Sequence, residues 1–190
     1  MTDNQTVDFF AQDDAAQQGS DDAVQPRISQ YLAFSVSGRE LAIGLAQVSE
    51  IVPYERVSSV PGTPSYLRGV TEIRGRWTPV IDLALKLGLP EAPITKRSCI
   101  LVLELHIQGE SLPVGMVLDG VATLLDLDIS QISPPPRFGG GVEVRYMQGL
   151  IATERGSLPL IDFAQVFAGA ELEHIAARAI TANNQASLTP

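Results

Sequence analysis

A single cysteine, Cys99, excludes an internal disulfide. It lies in the apolar run SCILVLEL, where a thiol packs as a small hydrophobe. The two histidines, His106 and His174, have no second Cys or His at ligand spacing, so no metal site is expected. Lysine occurs only as Lys86 and Lys96, too sparse for a polybasic membrane patch. Although 45% of residues are apolar, no run approaches the ~18 consecutive apolar residues of a membrane span. The stretch MTDNQTVDFFAQDD has no basic start, apolar core or small-residue cleavage site, and does not read as a secretion signal. A cytoplasmic protein without membrane insertion is expected. Gly139-Gly140-Gly141 lacks the lysine and following helix of a phosphate-binding loop, and neither histidine stands near a G-x-S-x-G nucleophile motif. No cofactor is expected.

Charge is unevenly spread. Six of the 22 acidic residues and none of the 13 basic ones fall in residues 1–26, although the whole chain carries −9. The rest is close to neutral, with no basic face for nucleic acid. Residues 1–26, rich in Gln, Asp, Ala and Ser, read as a disordered acidic tail. The apolar island in VDFFAQ leaves a short docking motif as the other reading.

Order begins near Tyr31. YLAFSVSGRELAIGL alternates apolar and polar residues on both sides of Ser37-Gly38, a hairpin pattern. ILVLELHIQGESLPVGMVLDGV, from Ile100 to Val121, repeats the pattern around Gln108-Gly109. LRGVTEIRGRWTPVIDL (67–83) and MQGLIATERGSLPLIDF (147–163) align without a gap, with Gly69/Gly149, Pro79/Pro159, Ile81/Ile161 and Asp82/Asp162 identical. Gly38, Leu41 and Gly44 match Gly109, Leu112 and Gly115; after a two-residue slip Val48 matches Val121. VSSVPGTP (57–64) echoes ISQISPPP (129–136). These ordered correspondences indicate a duplicated unit.

Short strands punctuated by Gly and Pro indicate a mainly β fold of small barrels or a sandwich. Pro79 and Pro159 are expected at first positions of strands, where a missing N–H is tolerated. DLALKLGL (82–89) has the length of two helical turns, and 164–179 reads as a C-terminal helix; 180–190 reads as a frayed tail. The expected domain spans 27–179, with approximate halves 27–98 and 99–163.

One aspartate per half invites comparison with aspartic hydrolases, whose two carboxylates share a proton. Leu83-Ala84 and Phe163-Ala164 follow the two aspartates here, without the hydroxyl residue and glycine that such a site needs. A duplicated-half hydrolase is therefore a distant alternative. Asp82 and Asp162 read as helix caps.

LRGVTEIRGRWTPVIDL resembles the signature of the CheW family: a Gly-Val, a Leu/Ile-Arg-Gly turn, then Pro-Val-(Ile/Val)-Asp-Leu. VSEI (48–51), LPVGMVLDGVATLL (112–125) and YMQGL followed by LPLIDF resemble three further family segments, and the match runs in order over about 29–170. The resemblance implies two tandem five-stranded SH3-like barrels sharing a hydrophobic core, with short helices. It implies a non-catalytic adaptor that couples the cytoplasmic tip of chemoreceptors to the CheW-like regulatory domain of a CheA-type histidine kinase. Such signalling arrays lie near the inner face of the membrane. A CheW-like adaptor of a non-flagellar pathway, controlling pili, surface motility or cyclic-nucleotide output, carries the same motifs.

By the same resemblance Val48, Glu50, Ile51, Gly69, Arg74, Gly75 and Val121 belong to the receptor-binding groove and the turns and strand beside it. Arg74 also reads as a turn arginine paired with a local carboxylate, and Val48 and Ile51 as core residues. Val57, Val60 and Phe138 fall where the family meets the kinase, and core packing explains them too. Glu72, in place of the family's common asparagine, Trp77, in place of an aliphatic, the glycine-rich 137–141 and the acidic tail depart from the pattern.

Overall fold

The computed structural model describes residues 28–107, 110–137, 142–154 and 156–167. The acidic segment 1–26, Phe138, the turn Gln108-Gly109, the expected helix beyond Phe167 and the segment 180–190 lie outside the described residues.

The first half runs through β1 (Ile28–Val36), β2 (Arg39–Gly44), β3 (Val48–Pro53), β4 (Leu67–Ile73), β5 (Arg76–Asp82) and the single turn α1 (Leu83–Lys86). The second runs through β6 (Cys99–Ile107), β7 (Glu110–Leu118), β8 (Gly120–Asp128), β9 (Ile132–Ser133), β10 (Met147–Thr153), β11 (Gly156–Ile161) and α2 (Phe163–Val166). The expected β1–β2 hairpin is present. Val36 faces Arg39 across Ser37 (φ 49°) and Gly38 (φ 71°), the positive-φ pair of a type I′ turn.

The strands form two sheets, ordered β8-β1-β2-β11-β10-β9 and β3-β6-β7-β5-β4, which curl into two small SH3-like barrels. Each sheet draws on both halves of the sequence. The β1–β2 hairpin joins second-half strands, and the β6–β7 hairpin joins first-half strands. The exchange is symmetric: β2 meets β11 in parallel at Ala42–Leu160, and β5 meets β7 in parallel at Val80–Gly115.

Alternation buries both faces of the exchanged hairpins. From β1, Leu32, Phe34 and Val36 enter a core shared by the sheets, together with Leu101, Leu103 and Met116 and with Leu83 and Phe163 from the helical turns. Tyr31 and Ala33 face the other way, into one barrel with Ala42, Ile151 and Leu160. Val80, Ile100, Val102 and Val117 fill the other barrel. Cys99 is buried at the margin of the shared core, and burial pushes its thiol pKa up.

The repeated motif is one structural device used twice. Each copy bulges at the same place, between Leu67 and Gly69 and between Met147 and Gly149. There the backbone of a crossing segment comes so close that a Cβ on Gly69 would lie 2.0 Å from the Ser58 carbonyl oxygen, and one on Gly149 2.7 Å from that of Ser133. Each copy ends in an aspartate whose N–H donates to a tyrosine carbonyl, Asp82 to Tyr66 (2.7 Å) and Asp162 to Tyr146 (2.8 Å). The Asp82 carboxylate accepts from Leu85 N–H, and that of Asp162 from Ala164 and Gln165 N–H, so both cap helical turns as expected. Among the described residues only Asp82 also holds an arginine: Arg68 donates to it from Nε (2.9 Å) and Nη2 (2.7 Å). Arg68 further pairs with Glu91. Burial alone would lower the Arg68 pKa, but the Asp82 hydrogen bond and the two carboxylates hold it above its ordinary value.

Four local expectations change. Pro79 is the fourth residue of β5, not its first, and Pro159 likewise lies inside β11. Pro79 faces Val70, whose N–H and C=O both bond Ser58 instead, and the parallel ladder to β7 starts one residue later, at Val80. A missing N–H therefore costs little there. The helix after Asp82 makes one turn, because Gly88 (φ 73°) closes it with bonds from Gly88 N–H to Leu85 O and from Leu89 N–H to Ala84 O. The echo between 57–64 and 129–136 is shifted by three residues: Ser58 bridges Val70, and its counterpart bridging Leu150 is Ser133, not Ser130. The pairing of Val48 with Val121 is shifted as well. Val48 faces Leu103, whereas Val121 faces Phe34, and the counterpart of Leu103 on β1 is Leu32, which faces Leu124.

Candidate functional site

β3 and β4 are the two terminal strands of the five-stranded sheet, with Ser58 bridging β4 at Val70. Between them lies a groove of about 620 Å³, lined by residues that include Glu50, Val52, Arg56, Val70, Glu72, Ile73, Arg74 and Trp77. The β4–β5 hairpin forms one wall. Its turn has Arg74 (φ 50°) and Gly75 (φ 76°) at the two positive-φ positions, with Ile73 facing Arg76.

This turn projects the Arg74 guanidinium across the groove. Nε lies 3.0 Å from Glu50 Oε2, with the arginine side chain 78% exposed and the glutamate 19%. Beside it, Arg76 is tied into its own sheet, donating to Glu104 (2.8 Å) and to the Ser111 carbonyl (2.9 Å), while the Ser111 hydroxyl donates to Glu104. One arginine of the hairpin is thus fastened down, and its neighbour lies over open surface.

The bulge at Ser49 brings Val48 and Ile51 to the same face of β3, opposite Leu103 and Leu101, while Glu50 and Val52 line the groove. Val48 packs against the shared core, and Ile51, further along the strand, is 39% exposed. Gly69 is buried, at φ 145°, under the backbone of Ser58 and Ser59. Val121 is exposed but lines a second cleft, of about 880 Å³, with Ser35, Gly38, Glu40, Lys96, Arg97 and Asp119. The groove therefore unites Glu50 and Arg74, with Gly75 completing the turn, while Val48 and Gly69 serve packing and Val121 stands at the other cleft.

Of the residues expected to meet a kinase, Val57 packs partly buried against the barrel core of Val80, Ile100, Val102 and Val117. Val60 is half-buried, its carbonyl accepting the Thr63 hydroxyl at 2.8 Å. Phe138 lies outside the described residues. Trp77 and Glu72 are groove residues absent from the sequence-based set. The two-residue turn at Arg74-Gly75 carries the missing signal, since counting back from it sets Glu72 opposite Trp77.

The model of the CheW-like domain family matches residues 30–171. The chain belongs to the CheW-like family. Its members are non-catalytic adaptors of chemosensory signalling. The chemotaxis protein CheW of Klebsiella aerogenes is 32% identical over 143 residues, covering 75% of this chain and 84% of that protein. Protein FrzA of Myxococcus xanthus is 29% identical over 157 residues, covering 81% and 95% of the two chains. The crystal structure of the scaffolding protein TtCheW from Thermoanaerobacter tengcongensis superposes with a TM-score of 0.68 at 25% identity, covering 76% of this chain and 91% of that one. The exchanged hairpins thus belong to a CheW-like fold. The aspartic hydrolase alternative falls with this assignment, since Asp82 and Asp162 each cap their own helical turn. Among the described residues, no helix is long and apolar enough to cross a membrane.

Proposed function

We propose that this CheW-like chain couples the helical cytoplasmic tip of chemoreceptors to the regulatory domain of a CheA-type histidine kinase, at arrays on the cytoplasmic face of the membrane. The observation that carries the reading is the exposed Arg74 paired with Glu50 across the groove between β3 and β4. An amphipathic helix laid into a groove gains affinity from apolar anchors and register from a few oriented charges. Val52 and Ile73 supply half-buried apolar contacts in the groove, and Ile51 is exposed on the other face of β3. Arg74, held among the described residues by its ion pair with Glu50, is free to trade that partner for a receptor group. Val48, Gly69 and Gly75 support that wall by packing and turn geometry, and Val121 contributes through its own cleft. Val57 and Val60 are assigned to the kinase contact, as is Phe138, which lies outside the described residues. The deciding measurement is co-sedimentation of the chain with a receptor signalling fragment and CheA. A ternary complex lost on Arg74→Glu supports the proposal, and a complex indifferent to that substitution removes the groove from it.

A non-flagellar chemosensory pathway is the second reading. The similarity to FrzA, and to PilI of Pseudomonas aeruginosa at 32% identity over 73 residues, favours it. Receptor and kinase pairs from flagellar and non-flagellar systems, compared in the same assay, separate the two.

A further inference from the structure

Glu72 and Trp77 face each other across the β4–β5 hairpin, and both line the groove. Residues directly opposite in an antiparallel pair share a face, with Cβ atoms about 5 Å apart. Glu72 is exposed and Trp77 half-buried. Among the described residues neither side chain has a hydrogen bond, ion pair or ring contact.

Two of the nearby arginines are committed: Arg74 is taken by Glu50, and Arg76 by Glu104 and the Ser111 carbonyl. The groove lining holds three carboxylates, Glu50, Glu55 and Glu72, against two guanidinium groups, Arg56 and Arg74, and so is net acidic. Glu72 is the carboxylate set opposite Trp77. A carboxylate beside an indole ring suits a cation: the ring face attracts it, the carboxylate pairs with it, and the partly dry wall strengthens both.

We propose that Glu72 and Trp77 form a subsite that accepts one lysine or arginine side chain of the helix occupying the groove, and so select receptor tips with a basic residue at that position. This rests on the receptor-groove reading and sharpens it, because Arg74 would select an acidic or polar group and Glu72–Trp77 a cation further along the same helix. Two receivers of opposite sign fix both the direction and the register of an incoming helix, which one ion pair alone does not.

Trp77 is the chain's single tryptophan, so its fluorescence reports on the groove wall that holds this subsite. A tryptophan-free soluble receptor fragment bearing the helical tip is titrated into the full chain, with binding measured in parallel by calorimetry. The expected result is a saturable change in Trp77 emission that tracks the calorimetric isotherm. Glu72→Gln should weaken binding about tenfold, and Trp77→Val by a similar factor, within the range of desolvated cation–π and ion-pair contacts. When basic residues of the tip are replaced by glutamine one at a time, one replacement should weaken binding to the native chain and leave binding to Glu72→Gln unchanged. Circular dichroism confirms that each variant is folded. Calorimetric binding with silent Trp77 emission, or loss on Trp77→Val with no effect of Glu72→Gln, overturns the cation subsite. Binding abolished by Arg74→Glu but unaltered by Glu72→Gln overturns it while leaving the groove reading intact. No binding to the native chain overturns the groove reading and the subsite together.

Discussion

Arg68 reaches back over the bulge in β4 to hold Asp82 through two hydrogen bonds, at 2.9 and 2.7 Å, while the equivalent Asp162 has no such partner among the described residues. The two copies of the motif are therefore unequal in energy. Asp82→Ala removes a buried helix cap together with two charged hydrogen bonds from Arg68, which keeps Glu91, and should cost about 2–4 kcal/mol. Asp162→Ala removes a half-exposed cap and should cost about 1 kcal/mol. Denaturant melts of the two variants measure the difference, and equal losses would show that Arg68 contributes little.

Gly69→Ala drives a methyl group into the Ser58 carbonyl at φ 145°, where both the contact and the backbone conformation oppose a side chain. A loss of more than about 3 kcal/mol, or failure to fold, is expected. Gly38, at φ 71° with nothing within 4 Å of its added Cβ, should lose only about 1 kcal/mol on the same change. The order of the two melting midpoints tests the assignment.

Arg74→Glu places a carboxylate beside Glu50 on an exposed turn. Surface pairs of this kind are worth at most about 1 kcal/mol, so the midpoint should barely move. A reduced affinity for the receptor fragment in a variant of unchanged stability would separate recognition from folding.

The Cys99 thiol should resist alkylation in the folded protein. Burial raises its pKa, so at mildly alkaline pH its thiolate fraction falls below that of a free cysteine, and access is restricted as well. Stoichiometric labelling should appear only across the denaturant transition. Rapid labelling of the native chain would show that the first residue of β6 opens locally.

Much of this was legible in the sequence because it is written locally. Ser37-Gly38 marks a type I′ turn between alternating strands, and Asp82 and Asp162 precede short apolar stretches as caps do. The unbroken match of 67–83 with 147–163 announces one device used twice. Partner choice is not written locally. A period of two says which residues share a face and nothing about which strand lies alongside, so the residence of β1–β2 among second-half strands is visible only in the fold. The three-residue errors at Ser58/Ser130 and Val48/Val121 share a cause: an apolar residue every third position fits several registers, and only backbone pairing selects one. Pro79 misled because its tolerance depends on Val70 spending its hydrogen bonds on Ser58. In the groove, the sequence supplied Glu50 and Arg74 through a family pattern. Glu72 and Trp77 stood out only as departures from it, until the hairpin register set them face to face.

The trading of hairpins has a consequence for how such chains can be rebuilt. In the five-stranded sheet, β3 reaches β5 only by way of β6 and β7, so a first half severed from the second keeps its turns but has no continuous sheet. A chimera that grafts one half from a relative alters both barrels at once, whereas a circular permutation opened in the connection between α1 and β6 leaves every ladder intact.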